Sequence, residues 1–196
     1  MIKYPIAYNP IIEYYNKFES GEIVVGFKVK RIYKKLVDDI VSSVCVGVYE
    51  YNSERANHAI EFVENFCKHS KGKWGGKPIA LELWQKAFIA AAFGFVHKID
   101  GTRKHREFLL VVARKNGKST VASGIALYMQ VADGEPGAEV YAVATKKDQA
   151  KLVWIDAKRM VTKSPALRKR IKPLVSELRA DFNDQHLSHS DQILKR

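Results

Sequence analysis

The chain contains 196 residues, enough for one domain or for a small domain and part of a second one. Its 33 Lys and Arg residues exceed its 21 Asp and Glu residues and give a net charge of +12, which suits a polyanionic partner but also a solvated basic surface. No apolar run is long enough to cross a bilayer, and the first ten residues lack the pattern of a signal peptide, so we expect a soluble cytoplasmic protein with no membrane partner.

Residues 1–76 are predicted to form a mainly helical N-terminal region. Residues 8–19 are rich in aromatic side chains, Ser20 and Gly21 interrupt that segment, and apolar residues then recur at helical spacing as far as Ile40. Basic residues lie between the apolar positions of this second helix: Lys28, Lys30, Arg31, Lys34 and Lys35. Such a run can contact nucleic acid or a neighbouring subunit, but it is more often the solvated side of an amphipathic helix, which is the interpretation we favour.

A third helix and a glycine-rich loop complete this region. Ser53 is the predicted N-cap of a helix that carries apolar residues at helical spacing up to Cys67. Residues 71–78 then combine several glycines with a proline, which predicts a loop at a domain boundary. Cys45 and Cys67 do not have the spacing of a metal-ligand pair, and we expect both to be reduced thiols.

The next helix carries the first candidate site residue. Its apolar stripe is predicted at Trp84, Phe88, Ala91 and Phe95, so the neighbouring Gln85 should point away from that stripe. A glutamine amide both accepts and donates hydrogen bonds, as the edge of an adenine ring requires. This chemistry alone would not single out Gln85, but together with the phosphate loop predicted downstream it makes Gln85 a candidate for adenine recognition.

A strand, a turn and a helix follow one another over residues 108–129. The apolar run over residues 108–113 predicts a strand buried on both faces, and apolar residues recur at helical spacing from Val121 to Met129. Between them lies the sequence N-G-K-S at residues 116–119. A helix N-terminus presents unpaired N–H groups to an anion, a lysine here can reach the β- and γ-phosphates, and a serine hydroxyl can coordinate Mg²⁺. The pattern predicts a phosphate-binding loop with Lys118 and Ser119 in those roles.

The loop departs from the usual pattern G-x-x-x-x-G-K-[ST] at one position. Val112 occupies the place of the first glycine, five residues before Gly117. A chance occurrence of G-K-S in a basic sequence is the alternative interpretation. We favour the phosphate loop because both the predicted strand and the predicted helix are in register with it.

The sequence A-R-K-N-G-K-S at residues 113–119 resembles the phosphate loop of the large terminase subunits of tailed bacteriophages, a family that also lacks the first glycine. The segment L-E-L-W-Q ending at Gln85 is similar to the family's adenine-recognition segment, and residues 138–150 resemble its second core strand and the polar turn after it. The first hundred residues resemble the helical region before the ATPase core. The similarity extends to about Arg170.

This resemblance implies ATP and Mg²⁺ as cofactors. It implies catalytic roles for Lys118 and Arg114, the latter as a sensor or stabiliser of the γ-phosphate, adenine binding by Gln85 and Mg²⁺ coordination by Ser119. The phosphate-binding residues that it implies are Lys115, Asn116, Gly117, Lys118, Ser119 and Thr120. The family packages double-stranded DNA into capsids as a homo-oligomeric ring on a portal protein, with a small terminase subunit as a partner.

The remainder of the chain is predicted to begin a parallel sheet. Residues 139–144 predict a second strand, which a right-handed crossover would place beside the first, and the next helix should end at Ser164 and Pro165. No apolar strand ending in an acidic residue follows, because Glu177, Asp181, Asp184 and Asp191 lie in polar surroundings. The family's nuclease domain is not recognisable either. We expect residues 181–196 to be a disordered polar tail and the chain to be an N-terminal fragment, either an expressed piece or a truncated prophage gene.

The predicted fold class is α/β, a truncated phosphate-loop NTPase core with a parallel sheet over residues 77–180, preceded by the helical region. The predicted function is that of the ATP-binding part of a DNA-packaging motor in the bacterial host cytoplasm. We expect this polypeptide alone neither to hydrolyse ATP nor to cut DNA. Two alternatives remain: a basic, non-catalytic nucleic-acid-binding or interaction protein with a vestigial phosphate loop, and a helicase-like ATPase.

Overall fold

The computed structural model describes residues 1–42, 47–174 and 177–180. Cys45 and the predicted tail over residues 181–196, with Asp181, Asp184 and Asp191, lie outside the described residues. The chain forms two compact units: unit 1 consists of Met1–Ile2, Glu61–Ala80 and Val111–Arg196, and unit 2 of Lys3–Ile60 and Leu81–Leu110. The predicted boundary between residues 76 and 77 stays a prediction.

Unit 2 is built on helices α1 (Pro10–Glu19), α2 (Phe27–Ser42) and α4 (Leu83–Phe93) and on the first part of α3 (Ser53–Phe66). The side chain of Asn9 caps α1 by accepting hydrogen bonds from the N–H groups of Ile11 and Ile12, and Pro10 supplies the first helical residue. Gly21, with φ of 82°, lies just after its end. The predicted pair of helices with a break at Ser20 and Gly21 is confirmed.

The core of unit 2 is aromatic. Tyr14 and Phe18 of α1 meet edge to face at 5.6 Å and pack with the fully buried Ala87 of α4. Tyr33 of α2 contacts the rings of Tyr14 and Phe18. The apolar side of α2 is thus fixed on α1 and its basic side is left exposed.

A short antiparallel sheet also belongs to unit 2. Strand β1 (Tyr49–Tyr51) pairs with β2 (Phe95–His97), and Glu50 lies opposite Val96. Phe95, predicted to extend the apolar stripe of α4, is therefore part of a strand. The helix α3 that follows β1 is capped by Asn52, whose Oδ1 accepts from the N–H of Arg55 at 3.0 Å. The prediction of Ser53 as N-cap is wrong by one residue, because Ser53 already lies inside the helix.

Unit 1 contains α5 (Lys118–Val131), α6 (Lys147–Lys163), α7 (Pro165–Arg168) and an antiparallel pair of strands, β3 (Ile171–Pro173) and β4 (Leu178–Ala180). The hydroxyl of the buried Ser123 donates to the backbone oxygen of Val153 at 2.9 Å and links α5 to α6. Gly124 of α5 lies against Val63 of α3, where a Cβ atom would come within 3.2 Å of both valine methyl groups. The predicted helices after the turn at residue 117 and up to Ser164 are confirmed.

The parallel sheet is not found among the described residues. Residues 108–113 and 139–144, which were predicted to be strands, have no strand pairing, and the described residues form only two small antiparallel sheets. Leu109, Val111 and Val143 are 89%, 80% and 90% exposed. A strand exists only through hydrogen bonds to a neighbour, and an apolar run with strand propensity cannot supply that neighbour itself. The fold is therefore a mixed arrangement of helices and short strands.

No helix in the described part of the chain is both long and apolar enough to cross a membrane.

Candidate functional site

The turn before α5 has the backbone geometry of an anion-binding loop. Lys115 has φ of 69° and Gly117 has φ of 73° and ψ of 13°, so two left-handed residues flank Asn116. Left-handed residues in such turns direct successive N–H groups to one side, which creates a concave site for an anion. The conformation suits Gly117 but costs Lys115 about 1–2 kcal/mol, and backbone strain of this kind is concentrated at functional sites.

The helix that follows contributes unpaired N–H groups. Gly117 is the N-cap of α5 and has no side chain to cap it, and the first backbone bond of the helix runs from the N–H of Val121 to the oxygen of Gly117 at 2.9 Å. The N–H groups of Lys118, Ser119 and Thr120 therefore lie ahead of the helical hydrogen-bond pattern. They add the positive end of the helix dipole to the turn.

Lys118 closes over the turn. Its Nζ atom donates to the backbone oxygen of Val112 at 2.8 Å, and Nδ2 of Asn116 is 3.4 Å from the oxygen of Ala113. Lys118 bonds to a main-chain oxygen of residue 112, so this contact does not depend on whether residue 112 is valine or the usual glycine. The departure from the usual pattern therefore does not prevent the loop from closing.

Three cations surround this turn without counter-charges. Arg114, Lys115 and Lys118 are exposed, and within the described part of the chain none of them forms an ion pair with a carboxylate. Cations close to converging N–H groups favour a ligand with several negative charges. The turn is consequently suited to a polyphosphate.

Ser119 and Thr120 lie half-buried in the first turn of α5. A serine hydroxyl at this place can supply one oxygen ligand to Mg²⁺, which completes its octahedron mainly with water and phosphate oxygens. Among residues 1–42, 47–174 and 177–180, no group of three or more His, Cys, Asp or Glu side chains is arranged to hold a metal ion. The half-buried Ser119 hydroxyl fits one ligand position of a metal ion that is bound together with phosphates.

Gln85 has a structural role that the sequence did not indicate. Its Oε1 accepts a hydrogen bond of 3.0 Å from the N–H of Glu82, in the capping box that starts α4. Gln85 is only 8% exposed although it lies beside the predicted stripe, because α4 is buried around most of its circumference. Gln85 belongs to unit 2 and the phosphate loop to unit 1.

Lys115 is the feature of this site that sequence reasoning missed. The family resemblance implies only that Lys115 is one of six phosphate-binding residues, and nothing in its type suggests a left-handed conformation, which Gly and Asn adopt far more readily. From residue type alone, a left-handed conformation would be expected at the adjacent Asn116. Only the backbone of the folded loop identifies Lys115.

Comparison with known proteins gives three results. Residues 83–193, more than half of the chain, match the family described as terminase large subunit, ATPase domain. The large terminase subunit of Enterobacteria phage HK97 is 32% identical over 115 residues, which cover 58% of this chain and 22% of that protein. The crystal structure of the HK97 bacteriophage large terminase has a TM-score of 0.48 and 27% identity, and covers 69% of this chain and 29% of that chain.

Proposed function

The chain belongs to the family of the terminase large subunit ATPase domain, and on this premise we propose that residues 113–120 bind the phosphates of ATP together with Mg²⁺. The observation that carries the proposal is the left-handed pair Lys115 and Gly117, placed directly before an uncapped helix N-terminus. This geometry and the exposed cations around it support polyphosphate binding.

Each residue of the loop has a distinct proposed role. Lys118 exchanges its bond to the Val112 oxygen for the β- and γ-phosphates, and Arg114 stabilises charge on the γ-phosphate. The backbone of residues 115–120, with the Asn116 side chain and the Thr120 hydroxyl, surrounds the phosphates, and Ser119 supplies its hydroxyl to the metal. Mg²⁺ bound there would neutralise phosphate charge.

Gln85 is proposed to read the adenine edge. Its Oε1 is engaged with Glu82, so its amide Nε2 is the group we assign to the base. This donor pairs with a hydrogen-bond acceptor on the adenine edge. Guanine carries a donor at the corresponding position, so the contact would favour ATP over GTP.

The exposed apolar segments around the loop support the parallel sheet expected for a phosphate-loop ATPase. We propose that residues 108–113 and residues 139–144 are neighbouring strands of this sheet once other strands pair with them. Val111 and Val143 would then lose most of the exposure that they have here. A mixed fold is what the described residues establish, and the sheet is part of the proposal.

The whole-protein function is proposed from the family. The match covers 22% of the HK97 relative, so packaging of double-stranded DNA, a homo-oligomeric ring, a portal protein and a small terminase subunit are proposals for this chain. The net charge of +12 is consistent with DNA as the partner.

Calorimetric titration with Mg-ATP tests the central proposal. The Lys118→Ala variant should bind roughly ten- to a hundredfold more weakly, because it loses a charge-assisted contact to phosphate. Lys30→Ala, which removes one exposed charge from α2 in unit 2, is the matched control and should bind like the wild type. Equal binding by all three proteins would favour a vestigial loop in a basic interaction protein.

A further inference from the structure

The loop over residues 68–78 in unit 1 combines an exposed aromatic ring with several positive charges. It contains four lysines and no Asp or Glu, and Trp74 at its tip is 54% exposed. An indole this exposed on a polar loop is a large apolar surface for which the core of unit 1 gives no reason. Trp74 is not among the residues proposed to bind phosphate.

The loop is held in a defined conformation. The N–H of His69 donates to the oxygen of Lys77 and that of Gly76 to the oxygen of His69, both at 2.9 Å. Lys163 of α6 donates from Nζ to the oxygen of Ser70 at 2.8 Å, and the Ser70 hydroxyl donates to the buried Asp156 at 2.8 Å. The tip is therefore presented by a fixed base, which lowers the entropy that binding would cost.

Two lysines lie beside the indole. The Nζ atoms of Lys77 and Lys73 are 4.8 Å and 5.7 Å from the centre of the Trp74 ring, and neither forms an ion pair within the described residues. The ring and its two cations are thus a single exposed unit. Its chemistry is an aromatic face next to positive charges.

We propose that the Trp74 loop, residues 68–78, is a docking site for single-stranded nucleic acid. Trp74 stacks on an unpaired base while Lys73 and Lys77 leave the ring to contact the flanking phosphates. An aromatic platform with adjacent cations is the common arrangement for binding single strands. A duplex offers phosphates to the lysines, but its base faces are already stacked on one another, so the exposed indole favours unpaired bases. The proposal goes beyond the nucleotide site and does not depend on it.

The test uses the full 196-residue chain and a single-stranded oligodeoxythymidine of about 20 nucleotides, with fluorescence and calorimetry as readouts. Trp74→Ala should lower the affinity roughly five- to a hundredfold, whereas Trp74→Phe, which keeps a stacking ring, should stay close to the wild type. Oligonucleotide should quench tryptophan emission in the wild type, and Trp74→Phe should abolish this quenching although it still binds.

The lysines are tested by salt dependence. The double variant Lys73→Ala/Lys77→Ala should reduce the slope of log affinity against log salt by about 1.4, the value for two lost phosphate contacts on a single strand. Lys28→Ala/Lys30→Ala on α2 removes the same charge from exposed positions in unit 2 and should change the slope little.

Three results would overturn the proposal. The first is that Trp74→Ala binds the oligonucleotide with wild-type affinity. The second is that the α2 control Lys28→Ala/Lys30→Ala reduces the salt slope as much as Lys73→Ala/Lys77→Ala does. The third is that a blunt duplex competes for binding as well as the single strand does. Unchanged unfolding transitions of the Trp74 variants would show that a loss of binding is not a loss of fold. Trp74→Ala should bind Mg-ATP like the wild type, so the nucleotide site and the Trp74 loop are measured separately.

Discussion

The Nζ atom of Lys118 donates a hydrogen bond of 2.8 Å to the backbone oxygen of Val112, across the turn that precedes α5. The bond is exposed, so water competes for both groups and its net contribution to folding is small. Phosphate oxygens offer the lysine a charged partner in place of a neutral carbonyl. The contact holds the lysine beside the proposed phosphate site and can be exchanged at little cost.

This relationship predicts a variant that separates binding from stability. Lys118→Ala should change the free energy of unfolding by less than about 1 kcal/mol without nucleotide. Mg-ATP should raise the unfolding temperature of the wild type, because a ligand of the folded state stabilises it, and should do so far less in the variant. Thermal unfolding with and without Mg-ATP is the measurement, and equal shifts in both proteins would contradict the assignment.

Gln85 offers a test that divides capping from adenine recognition. Gln85→Glu keeps an oxygen that accepts from the N–H of Glu82 but removes the amide donor, so stability should be nearly unchanged while the preference for ATP over GTP is lost. Gln85→Ala should lose the preference and also about 0.5–2 kcal/mol of stability. Calorimetry with both nucleotides and chemical unfolding measure the two effects. Retained preference in Gln85→Glu would rule out the adenine role.

The start of α3 distinguishes two neighbouring caps. Asn52→Ala should cost about 1 kcal/mol of stability, because Oδ1 of Asn52 satisfies the N–H of Arg55. Ser53→Ala should be close to neutral, since Ser53 is already helical and alanine has the better helix propensity. Urea unfolding of the two variants measures the difference, and the opposite order would restore Ser53 as the cap.

Gly124 is predicted to be required for the approach of α5 to α3. Gly124→Ala places a methyl group 3.2 Å from both methyl groups of the buried Val63. Crowding in the core should outweigh the gain of about 1 kcal/mol in helix propensity and leave a net loss of about 1–2 kcal/mol. The double variant with Val63→Ala should recover part of the loss. A stabilised Gly124→Ala would mean that the helices move apart at little cost.

His105 predicts a pH dependence in unit 2. Burial lowers its pKa from the usual 6.5, Lys104 and Lys35 lower it further, and Asp39 opposes them. Because the unfolded chain takes up this proton at a higher pH than the folded chain, the histidine contributes stability above about pH 6.5 that is lost as the pH falls through the folded pKa. His105→Gln should therefore show a smaller decline in unfolding free energy between about pH 7 and pH 5. If the unfolding free energies of the wild type and His105→Gln fell equally over this pH range, the role of His105 would be contradicted.

Local patterns in the sequence were sufficient for the main helices and for the turn that precedes α5. The periodicity of apolar residues marks α2, α5 and α6, and Gly21 and Pro165 mark helix boundaries that follow from backbone chemistry alone. Gly117 next to Lys118 and Ser119 at a helix start is likewise a local signal. These features depend on neighbours within one or two turns of the chain, and such information is present in the order of residues.

The tertiary structure alone decided how distant residues are used. The pairing of Tyr51 with Phe95 and the burial of Gln85 each depend on what packs against them. Residues 108–113 have the composition of a buried strand and yet have no strand partner among the described residues, because sheet formation requires a second segment that a local pattern does not specify. The left-handed conformation of Lys115 also depends on the tertiary structure. Its backbone strain persists only because the surrounding fold stabilises it, so the conformation is a property of the folded loop and not of the residue type.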